Sequence, residues 1–121
     1  MRRLALTLGL LMLAAPAVAQ DAQPVTISPA EGNWGCIALI DNTKAGLLTI
    51  FAGSYGYASA NFGSAASGTG NAEMGSDGVK FLDGNLATVG IGYGLVTFDA
   101  EGKDVLTLYN PEKAVLVCTP R

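Results

Sequence analysis

The side chains best able to carry chemistry in this chain are carboxylates, because the sequence holds ten Asp and Glu residues and no histidine. Histidine is the most common general base and a frequent metal ligand in proteins. Two carboxylates could still act as general acid and base in a hydrolase. Most of the acids, however, stand beside glycine or lysine in predicted turns, where solvated side chains are expected. We therefore expect no enzymatic activity and assign no catalytic residue, with a carboxylate-based hydrolase as an alternative.

The densest group of acids is the segment 99–104, in which Asp99, Glu101 and Asp104 surround Gly102 and Lys103. An EF-hand needs a 12-residue loop that ends in a bidentate glutamate, and this segment is too short for one. A lysine between the acids also opposes binding of a divalent cation. The pattern predicts a plain hairpin turn, and we expect neither a metal nor a cofactor.

Three glycines alternate with larger residues at Gly90, Gly92 and Gly94. The spacing differs from the dinucleotide-binding fingerprint, which has two residues before its third glycine. On an extended strand the three glycines would share one face and leave a groove in the sheet. A core aromatic residue such as Trp34 could fill that groove, or a ligand could enter it.

A second candidate site combines Tyr55 and Tyr57 with the nearby Ser67 and Gly68. The two tyrosines alternate on one predicted strand, and tyrosine gives a large contact area at low entropic cost. The pattern therefore indicates a recognition surface. Tyrosines in this spacing commonly just cover one half of a sheet, and this alternative remains open.

The first nineteen residues have the order of a secretory signal peptide. Arg2 and Arg3 precede the apolar run 4–15, and the small residues Ala17 and Ala19 flank a valine, so we predict cleavage between Ala19 and Gln20. The apolar run is shorter than a spanning helix needs. We expect a periplasmic or secreted protein with no stable membrane insertion after the signal is removed.

Export determines the expected state of the two cysteines. An even number of cysteines in a short exported chain usually means that they pair, so Cys36 and Cys118 are predicted to form a disulfide bond. Five basic and ten acidic residues follow the signal peptide, which gives the exported chain a net charge of −5. This charge opposes nucleic-acid binding and leaves a basic protein or a small ligand as the expected partner.

Short β-rich runs separated by turn residues predict an all-β fold. The last two runs, 105–109 and 114–118, flank Asn110 and Pro111, which suit a type I turn. The stretch 61–70 is rich in Gly, Ser and Ala and predicts a flexible loop. The predicted strands cover residues 34–40, 46–52, 54–60, a short run around Glu73, 79–82, 86–98, 105–109 and 114–118.

The cysteines lie near the start of the first strand and at the end of the last, so an antiparallel pairing would place them side by side. We therefore expect a small up-and-down barrel of about eight strands whose first and last strands are neighbours. A two-sheet sandwich with the disulfide bridging its sheets is the alternative. The chain then divides into a signal peptide, 1–19, an extended arm, 20–31, and a single β domain, 32–121.

Several of these segments resemble the small periplasmic barrels that inhibit C-type lysozyme. They are the Trp34-Gly35-Cys36 start, Cys118, the Ser67-Gly68 pair and the segment 80–89. The resemblance implies an exported barrel with a disulfide near both ends, in which a Ser-Gly loop enters the lysozyme cleft. Ser67 would correspond to the serine of that loop. The sequence thus predicts an exported binding protein without catalytic activity, with inhibition of a basic protein such as a C-type lysozyme as an alternative.

Overall fold

A computed structural model describes residues 28–121. The predicted signal peptide, its cleavage site at Ala19 and Gln20, and the arm up to residue 27 lie outside the described residues. Within residues 28–121, no helix has both the length and the apolar character required to cross a bilayer.

The described chain forms a closed barrel of eight antiparallel strands, each paired with its neighbours in sequence. The prediction of an all-β barrel is therefore confirmed, and the sandwich alternative is wrong. The elements are β1 (Gly32–Ala38), β2 (Lys44–Phe51), β3 (Ser54–Ser59), β4 (Gly68–Met74), β5 (Gly78–Phe81), α1 (Gly84–Thr88), β6 (Tyr93–Phe98), β7 (Asp104–Tyr109) and β8 (Ala114–Pro120).

Strict alternation along β2 shows how the sequence builds the barrel wall. Leu48 and Ile50 are fully buried, whereas Leu47 and Phe51 are exposed. Side chains that alternate along a strand point to opposite faces, so one set fills the barrel and the other meets solvent. The buried set across all elements is Ala30, Trp34, Cys36, Leu48, Ile50, Tyr55, Tyr57, Ala72, Val79, Phe81, Leu86, Leu106, Leu108, Leu116 and Cys118.

The barrel closes between its first and last strands, where Cys36 on β1 is the register partner of Cys118 on β8. The two cysteines form a disulfide bond across this seam, as predicted, and both are buried. The bond joins residues 82 positions apart in sequence. Backbone pairing and the covalent bond therefore fix the same register.

The lower rim, defined as the end of the barrel where β1 begins, is closed by the segment 28–31. The Trp34 indole Nε1 donates a 2.8 Å hydrogen bond to the carbonyl oxygen of Ala30. The Ser28 hydroxyl donates to the carbonyl oxygen of Gly78 at 3.2 Å, and both Ser28 and Ala30 are buried. This described part of the predicted arm is thus packed into the mouth of the barrel.

The opposite end, the upper rim, carries the connections 39–43, 60–67, 82–92 and 110–113. Helix α1 lies here and packs against β4 through its own Leu86, which is fully buried. The Tyr55 hydroxyl, from inside the barrel, donates to the carbonyl oxygen of Asp83 at 2.8 Å and accepts from the amide of Leu86 at 2.9 Å. One tyrosine therefore fastens the helix to the barrel interior.

The predicted strand 86–98 is wrong in its first half. The chain instead turns at Gly84, which has a φ of +86°, and forms α1 before β6 begins at Tyr93. A positive φ at this point favours glycine. The loop predicted over 61–70 is also shorter than expected, because Gly68 already begins β4.

Candidate binding surface

The predicted tyrosine surface does not exist, because Tyr55 and Tyr57 both point into the barrel and are buried. The Tyr55 ring makes an edge-to-face contact with Phe81, with centroids 4.9 Å apart. Tyr57 fills the space over Gly46, where an added Cβ would lie 2.7 Å from the tyrosine hydroxyl oxygen. Burial raises the pKa of the Tyr57 hydroxyl. The alternation on β3 is as predicted, and the burial of both tyrosines supports the alternative interpretation, in which they cover the inner face of the sheet.

The predicted sheet groove of Gly90, Gly92 and Gly94 is also not formed. Gly90 and Gly92 lie in the connection between α1 and β6, and only Gly94 belongs to the strand. An added Cβ at Gly94 would lie 2.7 Å from Leu108 Cδ2, whereas Gly90 and Gly92 face open space. Gly94 is therefore required by core packing, and the three glycines share no common surface.

The loop 60–67, which we call the upper loop, contains the predicted residue Ser67 and leads directly into Gly68. Backbone amides of Ser64 and Ser67 donate to the carbonyl oxygens of Asn61 and Ser64 at 3.0 and 3.1 Å. The Ser67 hydroxyl oxygen accepts a 2.9 Å hydrogen bond from the amide of Ser59, at the end of β3. Two internal hydrogen bonds and one to the end of β3 therefore connect the upper loop to itself and to the barrel.

A further contact anchors the upper loop to the helix. The Asn85 side chain donates from Nδ2 to the carbonyl oxygen of Ala65 at 2.9 Å. Gly68 has a φ of +148°, and a Cβ placed there would collide with the Asn85 side chain. The glycine is needed because the helix approaches the loop closely at this point. Ser67 and Gly68 therefore hold the loop in position, with the Ser67 hydroxyl already engaged.

Phe62 projects from the upper loop with a relative exposure of 105%. Ile40, in the neighbouring connection 39–43, is 87% exposed at the same rim. The two connections are linked through their strands, since the amide of Ala60 donates to the carbonyl oxygen of Ala45 at 2.8 Å. Sequence reasoning missed Phe62 because its neighbours are small and polar. A single aromatic residue within a Gly-Ser-Ala loop was the signal available.

Two of the acidic residues, Asp83 and Asp99, accept hydrogen bonds that stabilise turns. Hydrogen bonds from the backbone and side chain of Asn71 lower the pKa of the Asp83 carboxyl. Backbone hydrogen bonds from Lys103 and Glu101 lower the pKa of Asp99, so the segment 99–104 contains a hairpin turn between β6 and β7. Among residues 28–121, no three acidic or cysteine side chains are grouped so that they could hold a metal ion.

Charge is distributed unevenly around the barrel. The chain carries no charged residue from Ala45 to Ala72, a segment that includes most of β2, all of β3 and the first part of β4. The outer face of β2 nevertheless exposes two large apolar side chains, Leu47 at 48% and Phe51 at 70%. A shallow groove of about 330 Å³ lies between Phe51 and Gly56. We call this outer face of β2 and β3 the uncharged wall.

Comparison of the chain with protein-family models, with curated proteins and with solved structures finds no significant match in any of the three. The structure itself is therefore the source of the fold assignment and of the candidate surfaces.

Proposed function

We propose that this chain is an exported binding protein without catalytic activity, which recognises a macromolecular partner through the upper loop. The observation that carries the proposal is the combination of a hydrogen-bonded loop and a fully exposed Phe62 on it. Aromatic residues are enriched among the side chains that dominate binding energy. Hydrogen bonds that hold a loop in the conformation that binds reduce the entropy lost on binding.

The barrel interior supports binding at the outer surface. Large side chains from the strands fill the interior, among them Trp34, Leu48, Ile50 and Leu108. The segment that contains Ala30 covers the lower end and Leu86 covers the upper end. A small ligand held inside the barrel would have to displace these groups, so the small-ligand alternative is the weaker one.

Three of the carboxylates are in an environment that favours a structural role over proton donation. A catalytic general acid at neutral pH usually needs a raised pKa. The carboxyls of Asp41, Asp83 and Asp99 instead have lowered pKa values, because hydrogen bonds from nearby donors stabilise their charged forms. These three acids stabilise turns and are poorly suited to donate protons.

The exported location belongs to the same proposal. It is supported by the basic, apolar and small-residue order of the first nineteen residues and by the buried disulfide bond. Intact mass measurement of protein isolated from its own host should show a chain that begins at Gln20. A full-length chain recovered from the membrane fraction would contradict export.

Photo-crosslinking tests the proposed recognition loop. Phe62 is replaced by a photoreactive phenylalanine analogue in the chain expressed in its own host, and the same analogue at Phe98 is the control. Phe98 is also highly exposed, at 72%, but lies at the lower end of the barrel. Light should produce one major adduct with another macromolecule at position 62 and none at position 98.

The outcomes separate the alternatives. Equal adducts at both positions, or no adduct at position 62, would contradict recognition through the upper loop. A small molecule that co-purifies in stoichiometric amount, detected by native mass spectrometry, would favour the ligand alternative.

Inhibition of a C-type lysozyme is the specific alternative, favoured by the net charge of −5 and by the position of Ser67-Gly68 where the upper loop meets β4. Lysozymes of this type are basic, so attraction should weaken as salt shortens the Debye length from about 10 Å at 0.1 M to about 3 Å at 1 M. A turbidity assay with lysozyme at low salt, repeated with Ser67→Arg, tests it. An unchanged lysis rate with the wild-type chain excludes this alternative.

A further inference from the structure

A row of four side chains crosses the outer face of the barrel on the side formed by β4, β5, β6 and β7. Glu73 on β4 is the register partner of Lys80 on β5. Lys80 is in turn paired with Tyr93 on β6, and Tyr93 with Tyr109 on β7. Directly paired residues on neighbouring antiparallel strands lie on the same face of a sheet. Two charged side chains and two tyrosines therefore stand in line over three strand spacings, about 14 Å.

The two tyrosines of this row stack on each other. Their ring centroids are 5.0 Å apart and their ring planes differ by 8°. Because Tyr109 covers the Tyr93 ring from the side of β7, the second face of that ring points toward β5. Tyr93 keeps a relative exposure of 39%. The stack therefore holds one aromatic face in a fixed orientation beside Lys80.

Tyr93 borders a surface groove of about 290 Å³, which we call the tyrosine groove. Pockets that hold small ligands begin at about 300 Å³, so the groove has room for one small ring. Two buried glycines, Gly78 and Gly94, line it without side chains. The charged and aromatic side chains that line it are those of Glu73, Asp77, Lys80 and Tyr93.

The charged side chains of the tyrosine groove are available to a ligand. Within residues 28–121, the side chains of Glu73, Asp77 and Lys80 make no hydrogen bond, whereas Asp83 and Asp99 are engaged by neighbouring residues. A carboxylate accepts hydrogen bonds and an ammonium group donates them. A ligand that lies against Tyr93 therefore meets both acceptors and a donor.

The chemistry of the tyrosine groove selects its ligand. An aliphatic ligand would desolvate charged groups without pairing them, and Lys80 opposes a divalent cation. Two carboxylates against one ammonium group also oppose an anion.

A neutral pyranose ring meets all these conditions. Its face carries C–H groups, which pack on the negative face of an aromatic ring. The hydroxyls at its edge donate to carboxylates and accept from an ammonium group. We propose that the tyrosine groove binds one pyranose ring of a neutral carbohydrate. This inference does not depend on the proposed partner of Phe62, because the groove lies on the side of the barrel, outside the upper loop.

Titration with neutral methyl glycosides, followed by amide NMR spectra of the isotope-labelled exported chain, tests the proposal. The probes are methyl β-D-glucopyranoside, methyl β-D-galactopyranoside and the methyl β-glycoside of N-acetylglucosamine. At least one should cause saturable shifts at the amides of Gly78, Lys80 and Tyr93. The expected dissociation constant is on the order of 1 mM, as for a ligand of one sugar ring. If none of the three causes saturable shifts there up to about 50 mM, the proposal is overturned.

Variants locate the site. Tyr93→Ala removes the aromatic face and should raise the dissociation constant about tenfold. Phe98→Ala is the matched control, since it removes a ring that is 72% exposed on the same strand, outside the groove, and should change the constant less than about twofold. Glu73→Ala leaves the tyrosine stack in place and should raise the constant about threefold or more. A constant that is unchanged in both groove variants, in folded protein, overturns the proposal.

Two further probes test the selection of a neutral sugar. Nicotinamide is neutral and planar and can stack on Tyr93, but it lacks the ring of hydroxyls. Methyl β-D-glucuronide has those hydroxyls and adds a carboxylate, which Glu73 and Asp77 repel. Both should bind more weakly than the best neutral glycoside. If either one binds at the same amides as tightly, the groove does not select a neutral pyranose and the proposal fails.

Discussion

Asn85 in helix α1 donates a 2.9 Å hydrogen bond from its side chain to the carbonyl oxygen of Ala65 in the upper loop. This bond connects the element that closes the barrel to the loop that carries Phe62. The two parts of the upper rim are therefore held as one unit.

Removing this hydrogen bond should increase the mobility of the upper loop and should cost the barrel little stability. Asn85→Ala should cost about 1 kcal/mol of unfolding free energy and should increase amide hydrogen exchange within residues 60–67. Thr88→Ala is the control, because the Thr88 hydroxyl bonds within the helix, to Gly84. If Asn85→Ala leaves hydrogen exchange in the loop unchanged, the loop's own hydrogen bonds are sufficient to hold its conformation.

The Tyr55 hydroxyl should matter more than that of Tyr57. Tyr55→Phe removes the hydroxyl that pairs with both Asp83 and Leu86 and leaves the buried amide of Leu86 without a partner, so we expect a loss of about 1–3 kcal/mol. Tyr57→Phe should cost less, because within residues 28–121 its hydroxyl has no identified hydrogen-bond partner. Urea unfolding of both variants makes the comparison, and equal losses would contradict the proposed fastening of α1.

The disulfide should contribute strongly to stability because it closes a long loop. Replacing Cys36 and Cys118 together with serine should lower the unfolding free energy by roughly 4 kcal/mol. Reduction of the wild-type protein in denaturant should produce a similar loss, which controls for the effect of serine in the core. A double variant as stable as the oxidised wild type would mean that strand pairing alone fixes the seam.

These predictions depend on features that the sequence revealed unequally. Strand alternation and the terminal hairpin follow from local patterns, and the pairing of Cys36 with Cys118 follows from the even cysteine number; the structure confirms all three. Helix α1 has only five residues, and Leu86 to Val89 have the composition of a strand. Its position depends on contacts with Tyr55 and Asn71, which are distant in sequence.

The candidate binding surface was harder to predict than the fold, because alternation alone does not specify which face of a strand points inward. Tyr55 and Tyr57 could have covered either side of β3, and only the closed barrel places them inside. The conformation of the upper loop depends on hydrogen bonds between small residues, which composition does not encode. The uncharged segment from Ala45 to Ala72 was visible in the sequence but had no meaning until β2 and β3 were paired.

Acid should weaken the attachment of α1 through Asp83. Its folded pKa is lowered by hydrogen bonds from Asn71, so the stabilisation is present above the unfolded pKa of about 3.9 and is lost as pH falls through the folded value. Asp83→Asn should therefore be less stable than the wild type at pH 7, and this difference should shrink toward low pH. Urea midpoints measured at several pH values test this.

Glu112→Gln is the control for Asp83→Asn. Among the described residues, the Glu112 side chain makes no hydrogen bond, so its replacement should leave the pH dependence close to that of the wild type. A constant difference between Asp83→Asn and the wild type at all pH values would exclude the titration of Asp83 as the cause.

The segment 28–31 closes the lower rim, and the last residue of the chain lies at the same end of the barrel. Ser28 is bound to Gly78 there, and the amide of Arg121 donates to the carbonyl oxygen of Asn33 at the same end of the barrel. A tag, surface linker or fused domain joined after Arg121 will therefore begin at the end of the barrel opposite Phe62. A protein immobilised through that end will present its upper loop away from the support.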